Sequence, residues 1–126
     1  MVDPNCSSGW SCANVGGATG TESLNNGTYS VTGGGGSISG SSDTFQYVYQ
    51  STTTSSVVMS ARIASQTPVG YYTPKAGLML REGTGAGARY YDAVQTSRNG
   101  LLVEDRPYPG SASVTLATLS SQTLPV

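Results

Sequence analysis

The sequence repeats short stretches in which apolar and polar residues alternate, with glycine, proline, serine or asparagine between them. Alternation of period two is typical of β-strands that bury one face. Glycines and β-branched residues interrupt every possible set of apolar residues at helical spacing, so no helix is predicted. Strands are predicted at 28–32, 45–50, 57–63, 75–81, 90–96, 101–106 and 112–119. The pattern predicts an all-β antiparallel fold, as a β-sandwich or jelly roll.

Turn residues indicate how some of these strands connect. Asn26-Gly27 is a tight-turn signal just before the first predicted strand, and Arg98-Asn99-Gly100 predicts a hairpin between 90–96 and 101–106. A polar connector joins 45–50 to an apolar stretch that ends at Ser65. We therefore expect 45–50 and 57–65 to pair as antiparallel neighbours.

The chain has 126 residues, which favours a single domain, 1–126, with an irregular N-terminal segment at 1–20. Five residues lie between Cys6 and Cys12, a spacing that fits no zinc motif. A disulfide that pins the N-terminal segment is the preferred interpretation, and two free thiols are the alternative. A disulfide and the glycine-, serine- and threonine-rich composition indicate a secreted, extracellular protein.

Charge and composition exclude several classes of function. The chain has six basic and seven acidic residues and no histidine. Nucleic-acid binding needs a basic surface, so no nucleic-acid partner is expected. The commonest general base is missing, so an enzyme with a histidine-based catalytic triad is not expected. No apolar run approaches the roughly 20 residues of a membrane span, so no membrane partner is expected either.

The stretch Lys75-Ala76-Gly77-Leu78-Met79-Leu80-Arg81-Glu82 is the most strand-like run that has a charge at each end. Ala76, Leu78 and Leu80 share one face, which we interpret as core. Lys75, Gly77, Met79 and Arg81 share the other face. That face is either a solvated surface or the floor of a shallow groove, in which Gly77 leaves room for a ligand or a neighbouring backbone. In the groove interpretation, Lys75 and Arg81 are candidate ligand-binding residues.

Tyrosines are the other candidate ligand-binding residues, because their rings can stack on a sugar and their hydroxyls can hydrogen-bond. The pairs Tyr71-Tyr72 and Tyr90-Tyr91 are expected to point one ring inward and one outward if the backbone is extended. We select Tyr71, Tyr72 and Tyr91 as candidate ligand contacts.

The acidic residues give weaker candidates. Asp92 and Glu104 lie on strands related by a hairpin and could share a face as a glycosidase pair, whereas the neighbours Glu104 and Asp105 point to opposite faces. Pairing with arginines is the simpler interpretation, so no catalytic residue is assigned. Calcium could bind Asp43 and Asp92, although a turn cap is the simpler role for Asp43. No cofactor is therefore expected.

Several blocks resemble a known family. They are Asn26-Gly27-Thr28-Tyr29-Ser30-Val31 with the glycine run that follows, Asp43 to Gln50, Ala61-Arg62-Ile63, and Lys75 to Glu82. From about Trp10 onward the chain is similar to the bacterial extracellular domains of the concanavalin A-like lectin/glucanase superfamily, in a laminin-G-like branch related to the enolase-regulator proteins. The resemblance implies a concanavalin A-like sandwich and contact with carbohydrate.

The chain departs from this family in two ways. Tryptophans that family members often carry after the glycine run and before the Lys-Ala-Gly block are replaced by Ser37-Ile38-Ser39-Gly40 and Thr73-Pro74. Family members also continue beyond Val126 with further strands. The resemblance thus implies a truncated, incomplete sandwich, in which Phe45, Tyr47, Leu78 and Leu80 would be partly uncovered.

Two functional hypotheses follow. The first is a non-catalytic extracellular binding module that contacts a glycan or surface polysaccharide. The alternative is a structural or assembly protein, in which a second polypeptide or a homo-oligomer supplies the strands that complete the sandwich.

Overall fold

The computed structural model describes residues 2–3, 6–67, 74–97, 99–120 and 124–126. Within these ranges the protein is all-β with antiparallel sheets and contains no helix, which confirms the all-β, antiparallel part of the predicted fold class. The strands are β1 (Val2–Asp3), β2 (Ser11–Val15), β3 (Gly20–Asn25), β4 (Thr28–Gly33), β5 (Phe45–Tyr49), β6 (Lys75–Arg81), β7 (Tyr90–Thr96), β8 (Leu101–Arg106) and β9 (Val114–Leu119). They form three sheets, ordered β1-β2-β5, β3-β4 and β6-β7-β8-β9.

The predicted Asn26-Gly27 turn is present, and β7 and β8 form the predicted hairpin. Asn26 and Gly27 have φ angles of 51° and 79° between β3 and β4, the positive values that a two-residue hairpin turn of type I′ requires. Gly100, with φ of 71°, lies at the end of the β7–β8 connection. The Thr96 amide and hydroxyl both donate to the Gly100 carbonyl, each at 2.9 Å. Arg98, the first residue of that predicted hairpin turn, lies outside the described residues.

The N-terminal segment is not irregular throughout, so the prediction for 1–20 is wrong at Ser11–Val15. These residues form β2, which pairs along its whole length with β5, from Ser11 opposite Tyr49 to Val15 opposite Phe45. Cys12, Ala13 and Val15 are buried. Small side chains give β2 a weak sequence signal, yet they allow close packing beside the aromatic residues of β5.

The predicted strand at 57–63 and its pairing with 45–50 are also wrong. Residues 51–67 form no strand, and nearly all of them are exposed. β5 pairs with β2 instead of with 57–63. Among the described residues, the segment keeps a strand-like contact only at Ile63, whose amide donates to the Val126 carbonyl at 2.8 Å and whose carbonyl accepts from the Val126 amide at 3.1 Å.

The predicted disulfide between Cys6 and Cys12 is present, with the two Cα atoms 5.7 Å apart. It fixes the residues before β2 to that strand. The Ser7 amide and hydroxyl donate to the two carboxylate oxygens of Glu22 at 2.9 and 2.7 Å. The disulfide loop is therefore tied to the β3–β4 hairpin as well.

The faces of β6 are the reverse of those predicted. Arg81 has no exposed side-chain surface, whereas Leu80, which was assigned to the core, is 42% exposed. We call the face of the β6–β9 sheet that carries Arg81, Tyr90 and Arg106 the inner face, since these residues lie directly across from one another. The opposite, outer face carries Leu80 and Tyr91.

Asp43 explains this reversal. It precedes β5 and is 1% exposed. Its two carboxylate oxygens accept hydrogen bonds from both terminal nitrogens of Arg106 at 2.7 and 2.8 Å, and Arg81 donates to one of them at 2.7 Å. Charge pairing with a residue far away in sequence thus brings both arginines into the interior. The expectation that Asp43 merely caps a turn is wrong.

Aromatic rings complete the contact between the sheets. The Arg106 and Arg81 guanidinium carbons lie 5.0 and 5.7 Å from the centre of the Tyr90 ring. Arg81 also lies 5.2 Å from the centre of the Phe45 ring on β5. The Tyr47 hydroxyl donates to the Met79 carbonyl at 3.4 Å. The contact between β5 and the β6–β9 sheet therefore combines two cations, the Asp43 carboxylate and aromatic faces.

Replacement of Asp43 by asparagine tests how much the Asp43–Arg81–Arg106 cluster contributes to the free energy of unfolding. Asp43→Asn leaves two buried guanidinium groups without their counter-ion, so the free energy of unfolding should fall by about 3–5 kcal/mol. Urea titration measures it. Glu82→Gln is the matched control, because the Arg89–Glu82 pair has side chains that are 52% and 57% exposed and should contribute below about 1 kcal/mol. Equal losses in the two variants would contradict the assigned role of Asp43.

Candidate functional site

The structure separates the candidate ligand-binding residues. Lys75 and Arg81 lie on the inner face, and their charges are engaged in ion pairs with Glu104 and Asp43. They do not offer free cations to a ligand on that face. Tyr91 lies on the outer face and is 51% exposed, while its neighbour Tyr90 is 4% exposed. This confirms the predicted inward and outward split of the pair. Tyr71 and Tyr72 lie outside the described residues.

Gly77 allows the backbones of β6 and β7 to approach each other closely. A Cβ atom at this position would collide with the backbone carbonyl of Ala93 on β7. Of the two alternatives raised by the sequence, a close neighbouring backbone is therefore the one that the structure contains.

Tyr91 lies in a shallow hollow at one end of the outer face. Leu80, Tyr91 and Asp105 are direct cross-strand neighbours on β6, β7 and β8. The hollow has a volume of about 390 Å³, and its lining also includes Glu82, Arg89 and Pro107, together with Arg81, Tyr90 and Arg106 at the strand ends. We call this set of residues the Tyr91 hollow. A second, smaller hollow of about 160 Å³ shares Leu80 and Tyr91 and extends toward Val57 and Met59.

The charged rim of the Tyr91 hollow is held by the strand connection between β6 and β7. The Glu82 amide donates to the Arg89 carbonyl at 3.1 Å, and the Arg89 guanidinium lies 3.3 Å from the Glu82 carboxylate. Arg81 donates to the carbonyls of Gly83 and Gly85 at 2.9 and 2.7 Å. The buried Arg81 therefore acts as a positioning residue for the loop that carries the rim.

Asp92 and Glu104 are directly opposite each other on β7 and β8, as the hairpin predicted they could be. Both are buried on the inner face, on the other side of the sheet from Tyr91. The Lys75 ammonium donates to the Glu104 carboxylate and to the Ile38 carbonyl, each at 2.8 Å. Neither acid lines the Tyr91 hollow. The arrangement gives the pair no contact with a ligand bound there.

Asp92 is electrostatically strained. Its two carboxylate oxygens have no hydrogen-bond partner among the described residues. Burial, followed by repulsion from Glu104, raises the pKa of Asp92 to about 7, although Lys75 opposes the shift. The carboxyl group is therefore partly protonated at neutral pH.

The residues proposed for calcium do not form a suitable ligand set. Both oxygens of Asp43 are engaged by arginines, and Asp92 lies beside Glu104, whose carboxylate is bound to Lys75. Among the described residues, the one group of three potential metal ligands is Cys6, Cys12 and Glu22. The two cysteines there are bonded to each other.

Sequence reasoning missed most of the residues around Tyr91. Leu80 was assigned to the core, and Glu82, Arg89, Asp105 and Pro107 were not selected. The Asn99-Gly100 turn does not give the register, because a two-residue turn centred there would place Tyr91 opposite Tyr108, whereas the structure pairs Tyr91 with Asp105. The β6–β7 connection has no such short turn, so the placement of Glu82 and Arg89 could not be counted from the sequence.

Comparisons with protein-family models, curated proteins and solved structures found no match to this chain. Within the described residues, no helix is long and apolar enough to cross a membrane.

The raised pKa of Asp92 predicts a specific dependence of stability on pH. A folded-state pKa above the ordinary value of 3.8 means that the folded protein binds this proton more tightly than the unfolded chain. The contribution is complete below about pH 4 and is lost as pH rises through about 7. Relative to Asp92→Asn, the wild type should lose about 2–4 kcal/mol of unfolding free energy across that window.

Urea unfolding at a series of pH values measures this difference. Asp105→Asn is the control, since Asp105 follows Glu104 on β8 and lines the Tyr91 hollow on the outer face. The control should retain the wild-type decline between weakly acidic and neutral pH. Parallel stability profiles for wild type and Asp92→Asn would show that Asp92 does not titrate in this window.

Proposed function

We propose that the protein is a non-catalytic binding module that contacts carbohydrate through the Tyr91 hollow. The observation that carries the proposal is Tyr91 itself, a half-exposed ring on a sheet face with charged side chains at its rim. A tyrosine ring can stack on the apolar C–H face of a sugar while its hydroxyl hydrogen-bonds at the edge. Leu80 extends the apolar floor beside the ring.

The rim supplies the polar half of such a site. Glu82 and Asp105 carry carboxylates that accept hydrogen bonds from sugar hydroxyls, and Arg89 donates them. The Arg89–Glu82 pair is exposed, so either partner can exchange its contact for one with a ligand at a small cost in free energy. A few polar groups around an apolar floor are the usual composition of a small-molecule site.

The shape of the hollow supports weak binding to a polymer or a terminal sugar. The hollow is shallow and lies at the end of an open sheet face, so it can bury only part of a ligand. We therefore expect dissociation constants of about 1 mM for single sugars. Several units of a polysaccharide could lie along the outer face, because the second hollow continues from Tyr91 toward Val57 and Met59.

The family resemblance supports the finer parts of the proposal. It implies a concanavalin A-like sandwich in a bacterial extracellular protein. The side-chain contacts between β5 and β6 are compatible with two stacked sheets. The Cys6–Cys12 disulfide is compatible with an oxidising, extracellular location.

A glycan array followed by titration of the best oligosaccharide tests the proposal. Tyr91→Ala should raise the dissociation constant at least about tenfold, because it removes the stacking surface. Tyr108→Ala is the matched control, since Tyr108 is 70% exposed and does not line the hollow. Absence of binding to any glycan at millimolar concentration, or equal affinities for the two variants, would overturn the proposal.

Assembly with a second polypeptide is a second candidate, and the segment 57–63 favours it. The segment carries Val57, Met59 and Ile63 in alternation, yet it forms no ladder with the described residues. Val57 and Met59 are 38% and 43% exposed. Of the residues expected to be uncovered, Leu80 is exposed, whereas Phe45, Tyr47 and Leu78 are half-buried. A strand from another chain could pair with the segment and cover these residues.

Binding of anilinonaphthalene sulfonate, a dye that fluoresces on apolar surfaces, tests this candidate. The isolated protein should bind the dye, and the double variant Val57→Ser/Met59→Ser should bind it less. Val58→Ser is the control, because Val58 is 94% exposed and lines neither hollow. A wild-type protein that binds no dye would contradict the candidate.

A further inference from the structure

The edge of the four-stranded sheet at β9 lacks the charged residues and prolines that commonly protect an edge strand. β9 is the last strand in the order β6-β7-β8-β9, and all six of its residues are exposed. Its sequence, Val-Thr-Leu-Ala-Thr-Leu, contains no charge and no proline. Natural sheets commonly use lysine, proline, inward-pointing charges or β-bulges to prevent edge-to-edge pairing, and of these β9 has only a bulge. This edge therefore favours pairing with another strand.

A β-bulge gives β9 an unusual internal symmetry. The register shifts by one residue, so that Ala117 and Thr115 oppose the adjacent residues Val103 and Glu104 of β8, and Leu116 is the extra residue. Val114 and Leu119 oppose Asp105 and Leu101, which share the outer face. Thr115 and Thr118 oppose Glu104 and Leu102, which share the inner face. The apolar residues Val114 and Leu119 are thus equally distant from the centre of β9 and share the outer face. Thr115 and Thr118 are likewise equally distant from the centre and share the inner face.

This symmetry makes β9 complementary to itself. When two β9 strands run antiparallel about an axis between Leu116 and Ala117, Val114 of one copy lies opposite Leu119 of the other. The same register places Thr115 opposite Thr118. Apolar pairs and threonine pairs across antiparallel strands each contribute roughly 0.2–1 kcal/mol. The register repeats every favourable contact twice, as a two-fold axis requires.

Charge does not oppose the approach of a second copy. β9 and the residues Ser111, Ala112, Ser113 and Ser120 that flank it are uncharged. A heterologous partner selected by charge would find nothing to recognise on this edge, whereas an identical neutral edge meets no repulsion. The bulge at Leu116 increases the local twist, which limits the length of the ladder and favours a closed pair over a growing fibre.

We propose that two copies of this protein associate through antiparallel pairing of their β9 strands in this register. Four strands from each copy then form one continuous sheet of eight. An interface based on one strand pair is small, so a dissociation constant in the micromolar range is expected.

The dimer would display both Tyr91 hollows on the same side of the sheet. Val114 and Leu119 both lie on the outer face, so the pairing keeps the two outer faces together. Five strand spacings separate the two β7 strands, which corresponds to about 24 Å across the sheet. Bivalent binding of a polysaccharide rests on the proposed function, whereas the β9 pairing does not depend on it.

A charge-exchange pair of variants tests the register. In Val114→Lys/Leu119→Lys, each new lysine faces another lysine of the second copy, so the dimer should dissociate at least about tenfold more readily. In Val114→Lys/Leu119→Glu, each lysine faces a glutamate, and the dimer should persist. Both variants add two charges at the same exposed positions, and they differ only in the sign of the charge at residue 119.

Sedimentation equilibrium from low micromolar to millimolar protein concentration measures the outcome, and circular dichroism verifies that both variants fold. Wild type should approach twice the monomer mass of 12.9 kDa. A wild type that stays monomeric throughout would overturn the proposal. So would a lysine–lysine variant that dimerises as well as wild type, since β9 would then not be the interface. Dissociation of both variants would overturn the antiparallel register.

Discussion

The two ion pairs of Asp43 are the constraint on which the rest of the structure depends. One carboxylate with no exposed side-chain surface accepts hydrogen bonds from Arg81 on β6 and Arg106 on β8. Removal of three charged groups from water is costly unless all are paired, so the geometry of the cluster must be maintained. It fixes which face of the β6–β9 sheet turns inward. It also fixes the residues before β5 against that sheet, because Arg106 donates to the Gly40 carbonyl and the Ala86 carbonyl accepts from both Arg81 and the Asp43 amide.

The candidate binding surface is a consequence of this choice of face. When Arg81, Tyr90 and Arg106 turn inward, their neighbours Leu80, Tyr91 and Asp105 must turn outward, because successive residues of a strand point to opposite faces. The sheet thus buries its charged face and exposes a mainly apolar one. An exposed apolar face with a tyrosine at one end is typical of an interaction surface. The glycan proposal begins from that inversion.

The sequence alone predicts where the strands lie better than it predicts which of their faces is buried. The bounds of β6, β7 and β8 coincide with 75–81, 90–96 and 101–106, because alternation and the Asn99-Gly100 turn act locally. The buried face of β6 was not predictable in the same way. Alternation shows that two faces differ, but Arg106 and its partner Asp43 are 63 residues apart. β2 was missed because its side chains are small, and 57–63 was overpredicted because a strand pattern does not ensure a partner strand. Tyr91 followed from its pair with Tyr90, whereas the rim around it depended on an eight-residue connection that carries no short turn signal.

A double-mutant cycle between Asp43 and Arg106 tests the central claim most directly. Unfolding free energies would be measured for wild type, Asp43→Asn, Arg106→Gln and the double variant under identical conditions. If the ion pair joins the sheets as described, the two substitutions should be strongly coupled, with an interaction free energy of about 2–3 kcal/mol. Additive effects, with a coupling below about 0.5 kcal/mol, would contradict the account.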